Sequence, residues 1–223
     1  MNFRFVQFLL RLVFRLISRL EVYGMENIPT SGPFIAVSNH IGRLDAALVY
    51  VVIDRTDIIM MVAEKYKENA FFRWLVRMLD GVYIDRFNAD LNAMREIMRR
   101  LKAGGVLVMA PEGTRSPTAS LQDGKDGASY LAAKSRLPIL PVGVTGTEDG
   151  LVMKQLRRFK RLKIVAYVGK TFMLPPLSAK EREIQLPQFT NEIMCQIAAL
   201  LPESYRGIYA NNPRTTELLG QMA

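Results

Sequence analysis

From Tyr23 onward, short apolar runs alternate with stretches whose apolar residues recur every three to four positions. The runs predict strands over Phe34 to Ser38, Ile58 to Ala63, Val82 to Asp85, Val106 to Ala110, Ile139 to Thr145 and Ile164 to Val168. They are rich in Val and Ile and mostly lack polar alternation, as in strands covered on both faces. The helical period is clearest over Ala89 to Ala103, where Leu91, Met94, Ile97, Met98 and Leu101 share a face, with Asn88 to cap the start and Gly104 the end. Other helices are predicted over Leu44 to Ile53, Ala70 to Leu79, Gly127 to Ser135 and Pro187 to Leu201. Strands alternating with helices predict an α/β fold, a central and mostly parallel sheet flanked by helices. Asn211 to Ala223 reads as a loosely held tail.

The first 22 residues follow a different pattern and are expected to form a separate amphipathic helix, with the main domain over 23–210 and the tail over 211–223. On a wheel of about 100° per residue, Arg4, Gln7, Arg11, Arg15, Ser18 and Arg19 fall in one arc of roughly 120°, and only Phe8 intrudes. The rest is Phe, Leu, Ile and Val, including Phe5 and Phe14, and no acidic residue occurs before Glu21. A wide apolar face beside an arginine face predicts a helix lying in a lipid interface, with Arg4, Phe5, Phe8, Arg11, Phe14, Arg15 and Arg19 touching the membrane. The longest uncharged run, Phe5 to Leu10, is far too short to span a bilayer or to form a cleaved signal. The bland alternative is a helix packed on the domain's own core.

Charge narrows the choice of partner. The 223 residues carry 30 Lys+Arg against 21 Asp+Glu, a net charge of +9. That balance favours a polyanionic partner such as nucleic acid, a phosphorylated substrate or anionic lipid. No familiar nucleic-acid-binding motif accompanies it, so nucleic acid is not expected. With one histidine and one cysteine, the chain is not expected to hold zinc or another transition metal. A basic run, Lys154, Arg157, Arg158, Lys160, Arg161 and Lys163, suits an anionic bilayer, the phosphates of a nucleotide-bearing co-substrate, an acidic carrier protein, or simply a solvated loop.

Candidate chemistry gathers at predicted strand ends, where active sites of open α/β sheets belong. Asn39-His40-Ile41-Gly42-Arg43-Leu44-Asp45 follows the first strand and holds the only histidine. On one continuous helix, residues five apart would lie roughly 7.5 Å apart along the axis and point away from each other. His40 is therefore placed in the loop and Asp45 in the first helical turn, from which a carboxylate can fix the tautomer of a general base. A second strand empties into Pro111-Glu112-Gly113-Thr114-Arg115, where Gly113 permits close backbone approach and Arg115 can fork onto a phosphate. Two further strand ends deliver Lys65 and Arg86, which together with Arg115 would suit a phosphorylated substrate. Read alone, each of these cations is equally a surface charge, and Glu112 with Arg115 equally a turn closed by an ion pair.

The blocks NH-x4-D at 39–45, YIDR at 83–86, PEGTR at 111–115 and LPILPVGVTGTE at 137–148 resemble, in order and spacing, those of the glycerolipid acyltransferases. Bacterial 1-acyl-sn-glycerol-3-phosphate acyltransferases are the most similar group, from about Tyr23 to Tyr209, including Lys125-Asp126-Gly127-Ala128, which looks like the family's K-x-G-A segment. The resemblance implies the glycerol-3-phosphate acyltransferase-like fold, and His40 as general base with Asp45 orienting it. It also implies that Glu112, Gly113, Thr114 and Arg115 line the acceptor site, and that Lys65, Arg86 and Arg115 hold the phosphate of lysophosphatidic acid. Ala63-Glu64-Lys65-Tyr66-Lys67 differs from the family's usual segment, so either Lys65 or Lys67 takes that place. Ile41-Gly42-Arg43-Leu44 lacks the serine frequent within the first block.

The implied reaction is direct transfer from acyl-CoA or acyl carrier protein to the sn-2 hydroxyl, giving phosphatidic acid for phospholipid biosynthesis. Backbone N–H groups near the NH-x4-D loop or Gly113 would steady the oxyanion, and no cofactor or metal is called for. The setting implied is the cytoplasmic face of the cell membrane, as a peripheral or monotopic protein on anionic lipid. Other acceptors remain alternatives: glycerol 3-phosphate, a lysophospholipid or a lyso-aminolipid. An inactive membrane-binding scaffold is a further alternative. Cys195, in an apolar helical stretch, is expected to be a buried inert thiol.

Overall fold

The computed structural model describes residues 3–85 and 90–222. Among the described residues, seven strands form one sheet: β1 (Ser18–Tyr23), β2 (Phe34–Ser38), β3 (Ile58–Ala63), β4 (Val82–Ile84), β5 (Val106–Met109), β6 (Ile139–Thr145) and β7 (Leu162–Val168). Their order is β1-β7-β6-β2-β5-β3-β4. All neighbours run parallel except β6 and β7. The expected α/β architecture is thus present.

Strand periodicity divides the core into two layers, because successive side chains point to opposite faces. Phe34 and Ala36 of β2, Val106 and Val108 of β5 and Ile58 of β3 pack on one side. Ile35, Val37, Leu107 and Ile59 pack on the other. The first side is covered by α1 (Phe3–Ile17), α2 (Asp45–Val52) and α6 (Asp149–Leu156). Phe14 of α1, Leu48 of α2 and Val152 of α6 meet there in one cluster. The opposite side is covered by α4 (Leu91–Lys102), α5 (Gly127–Ser135) and α7 (Arg182–Leu200), through Ile97, Leu131 and Ile193. Between β3 and β4 lies α3 (Ala70–Met78), whose cap Asn69 accepts the N–H groups of Phe71 and Phe72.

Several expectations need correction. The N-terminal helix stops at Ile17, and Ser18–Tyr23 joins the sheet as β1, paired with β7 from Ser18↔Leu162 to Tyr23↔Tyr167. The boundary expected at residue 22 therefore falls inside the main domain. The C-terminal segment is not a loose tail: α8 (Pro213–Met222) docks on α7 through buried Thr215 and Leu218, and Arg214 donates to Glu192 at 2.7 and 2.9 Å. Helix α7 begins at Arg182 and carries Pro187 inside it, five residues before the expected start. Asp90, whose side chain accepts the Ala93 N–H at 2.9 Å, caps α4, while the expected cap Asn88 lies outside the described residues.

Helix α1 has three faces rather than two. Phe3, Val6, Gln7, Leu10, Phe14 and Ile17 face the body, and the Gln7 amide donates to Ile53 C=O at 3.1 Å. Phe14, expected at the membrane, is 2% exposed and belongs to the core. Arg11 donates to Asp54 at 3.0 Å along one edge. Phe5, Phe8, Leu9, Leu12, Val13 and Leu16 remain open to the outside. Among the described residues, no helix is long and apolar enough to cross a membrane.

Candidate active site

The site grows from the C-terminal ends of β2, β5 and β6. Asn39, the first residue after β2, is 2% exposed and behaves like an added rung of strand. Its amide donates to Val144 C=O at 2.8 Å and accepts the Val144 N–H at 2.8 Å, which fastens the loop to β6. His40 follows. Its backbone N–H donates to Glu112 Oε1 at 2.9 Å, and its C=O accepts the Ser116 N–H at 2.8 Å, which fastens the same loop to the turn after β5.

The side chains of His40 and Asp45 meet as the loop-and-helix placement requires. His40 Nδ1 lies 2.8 Å from Asp45 Oδ2. That oxygen also accepts the Ile41 N–H at 2.8 Å and the Gly42 N–H at 2.9 Å, while Thr147 donates its hydroxyl to Oδ1 at 2.5 Å. These three donors converge on the carboxylate, and an N–H at Nδ1 completes the set as the fourth, the arrangement that leaves Nε2 with a free lone pair. Gly42 makes this packing possible: a Cβ there would sit 1.7 Å from Thr147 O.

His40 and Asp45 open into a cavity of about 340 Å³. Its walls are mainly apolar, with Ala46, Val49, Met60, Met61, Val108 and Met109 among them, and Lys125 is its one cationic wall residue among the described residues. Lys125 is anchored by its N–H to Pro111 C=O at 2.8 Å, and its side chain runs past Gly113, whose φ of +70° brings the turn close. A smaller apolar cavity lies between α2 and the sheet, lined by Leu48, Val52, Leu140 and Val168, and shares Ser38, Asp45, Val49 and Val108 with the first.

The remaining expected site residues are distributed unequally. Glu112 stands behind the site: it is 2% exposed, and it accepts the N–H groups of His40 and Gln122. Burial pushes its carboxyl above the usual range, against the pull of those two N–H groups. Gly113 lines the cavity, whereas exposed Thr114 does not. Arg115 is not part of the cavity wall; it donates to Asp149 at 2.5 Å, and Asp149 also accepts the Arg43 N–H at 2.9 Å. Lys65 is exposed, 5.3 Å from the centre of the Tyr66 ring, and Lys67 pairs with Glu64, so neither enters the cavity wall. Arg86 lies outside the described residues. Thr147, although it lies within the 137–148 block, and Asp149 just beyond it were given no role from the sequence. Among the described residues, no cluster of His, Cys, Asp and Glu could hold a metal ion.

Comparison with known proteins agrees with this geometry. A family model described as Acyltransferase matches residues 19–145, more than half of the chain. The 1-acyl-sn-glycerol-3-phosphate acyltransferase of Bacillus subtilis is 24% identical over 193 residues, 85% of this chain and 94% of that protein. The mouse 1-acyl-sn-glycerol-3-phosphate acyltransferase alpha is 32% identical over 146 residues, 63% of this chain and half of that protein. A chloroplastic counterpart from Brassica napus is matched over 38% of its length, so the chain spans half or less of these two longer relatives. The crystal structure of the 1-acyl-sn-glycerophosphate acyltransferase PlsC from Thermotoga maritima superposes with a TM-score of 0.66 at 26% identity, over 86% of this chain and 76% of that one. With the His40–Asp45 loop and the Glu112 turn both inside the matched span, the chain belongs to the Acyltransferase family.

Proposed function

We propose that the protein transfers an acyl group from a thioester donor, acyl-CoA or acyl carrier protein, to the sn-2 hydroxyl of 1-acyl-sn-glycerol 3-phosphate. The carrying observation is the His40–Asp45 pair, 2.8 Å apart, facing an apolar cavity with one cation in its wall. His40 Nε2 takes the proton of the acceptor hydroxyl, and the oxygen forms its bond to the thioester carbon. The C–S bond then breaks, and the imidazolium returns its proton to the departing thiolate. Asp45 holds the charged ring meanwhile. The apolar walls of Met60, Met61 and Val49 suit acyl chain, and Lys125 inside the cavity suits the phosphate. The names of the relatives support this acceptor. The outer face of α1, with Phe5, Phe8, Leu12 and Leu16 exposed, suits docking on the bilayer that holds it.

The test is thiol release from palmitoyl-CoA by the full chain with lysophosphatidic acid in vesicles, beside His40→Ala. Turnover that needs lysophosphatidic acid, yields phosphatidic acid and disappears in His40→Ala is expected. Activity that survives in His40→Ala overturns the mechanism. Activity only with glycerol 3-phosphate or another lysolipid overturns the acceptor.

A further inference from the structure

The connection from α6 to β7 has no role in the site, yet it concentrates unusual features. Phe159 at its tip is 98% exposed, with φ at +54°. Its conformation is set by the backbone: the Phe159 N–H donates to Leu156 C=O and the Lys160 N–H to Gln155 C=O, each at 3.0 Å. The ring is thus held outward by a defined turn. A left-handed conformation disfavours a bulky L-residue, and full exposure disfavours an aromatic ring, so neither the fold nor the solvent explains Phe159.

Around it, Lys154, Arg157, Arg158, Lys160 and Lys163 are all exposed. The sequence holds no acidic residue between Asp149 and Glu181 to neutralise them. Leu151, Met153 and Leu156 add exposed apolar area on α6 itself.

The loop is joined to α1. Arg161 donates to Arg15 C=O at 2.6 Å and also to Ser18 C=O. Val152 of α6 and Phe14 of α1 share one cluster on the same face of the sheet. The edge is also the same: β7 runs antiparallel to β6 with Val165 opposite Thr145, so its first residues lie beside the end of β6 that holds the His40 loop.

We propose that this loop is a second lipid-binding site, in which Phe159 enters the interface of an anionic bilayer while the surrounding cations meet lipid phosphates, beside α1. The proposal rests on the reading of α1 as the lipid-facing helix. A convex aromatic tip fits a fluid apolar phase, whereas a folded protein partner would need a pocket to receive it, and nucleotide phosphates would need only the cations. Removing three of the cations lowers affinity for an anionic surface by roughly a hundredfold, at about fivefold per charge.

The experiment uses the full chain with Trp74→Phe and Phe159→Trp, so that the tip carries the single indole. Vesicles of phosphatidylcholine alone, or with phosphatidylglycerol, are added, with brominated acyl chains as quencher. A blue shift and quenching on phosphatidylglycerol vesicles are expected, with little change on phosphatidylcholine. In co-sedimentation, Phe159→Ala should lose about tenfold in affinity, and Arg157→Ser with Arg158→Ser and Lys160→Ser about a hundredfold. Unchanged circular dichroism and unchanged turnover of a water-soluble short-chain acceptor would show these variants folded. If the protein sediments with phosphatidylglycerol vesicles while the tip indole stays in water, the proposal is overturned and α1 docking stands. If the protein does not sediment at all, both fall. A tip indole that responds to acyl carrier protein but not to vesicles overturns the proposal in favour of a protein partner.

Discussion

Gly42→Ala tests whether the geometry around Asp45 controls the chemistry. The added Cβ would lie 1.7 Å from Thr147 O, where a carbon and an oxygen in contact need about 3.5 Å. The clash is with backbone, so no rotamer relieves it, and the two segments must separate by roughly 1.5–2 Å. Both segments hold Asp45: the Gly42 N–H donates to Oδ2 at 2.9 Å, and the Thr147 hydroxyl to Oδ1 at 2.5 Å. Separating them breaks at least one of these bonds and lets the carboxylate drift from His40. A misplacement of about 1 Å at a reacting group costs on the order of a hundredfold in rate, which is the minimum expected here. One lost bond to a buried charged group with local strain should cost about 2–4 kcal/mol of stability.

The assay is thiol release at saturating donor and acceptor, paired with a thermal melt. Gly150→Ala is the control, since a Cβ there meets nothing within 4 Å. It should leave turnover unchanged and stability equal or slightly higher. A Gly42→Ala enzyme with kcat within about threefold of wild type and an unchanged Tm would refute the reasoning, because the Thr147 contact would then not constrain the loop.

Three further outcomes follow from the same structure. Asp45→Asn should lower kcat by about 10²–10⁴-fold with KM little changed, since the amide cannot accept every bond the carboxylate does and frees the imidazole tautomer; steady-state kinetics decide it. Lys125→Met should reduce kcat/KM for the phosphorylated acceptor by at least about tenfold, with a smaller effect on a neutral monoacylglycerol, checked by comparing the two acceptors. Glu192 reports the docking of α8: burial pushes its carboxyl up, but Arg214 and then Gln196 bring it below the usual range. A depressed carboxyl contributes stability that is present above its unfolded value, about 4.3, and is lost as pH falls through the lower folded value. Cys195, buried beneath α8, should therefore label slowly with dithiodipyridine at neutral pH, and faster below about pH 4 or in Glu192→Gln at any pH.

How much could be read from sequence depended on whether a residue's partner was near in the chain. Strands β2, β3 and β6 appear with their expected bounds because both faces are covered and their apolar runs are unbroken. At β1, exposure alternates, with Ser18 buried and Arg19 and Glu21 open. That is the pattern of an edge strand, and Arg19 also continues the i to i+4 arginine spacing of α1, so the helical period hid the strand. Phe14 and Gln7 look like membrane and solvent residues on a two-faced wheel, yet they face α2, a third direction that a hydrophobic pattern cannot specify. Helix α8 is held by Arg214 on Glu192, a pairing across 22 residues with little apolar signature. The His40–Asp45 pair was legible because both members lie within one loop. Asp149 and Thr147 reach the site from more than a hundred residues away and were not.

The placement of donors also changes how charge is met under the proposed mechanism. The backbone N–H groups expected to steady the oxyanion are already engaged: His40 to Glu112, Ile41 and Gly42 to Asp45, Arg43 to Asp149, and Gly113 to Ala110. These bonds preorganise the base rather than the electrophile. They hold the Asp45 carboxylate beside a fixed ring, and they hold the loop through Glu112, which accepts the N–H groups of His40 and Gln122. The one cation in the cavity wall among the described residues, Lys125, is then left for the acceptor phosphate. Arg115 is not among the wall residues, and its guanidinium is paired with Asp149. Lys125→Met should therefore raise KM for the phosphorylated acceptor more than Arg115→Ala does, which steady-state kinetics of the two variants check.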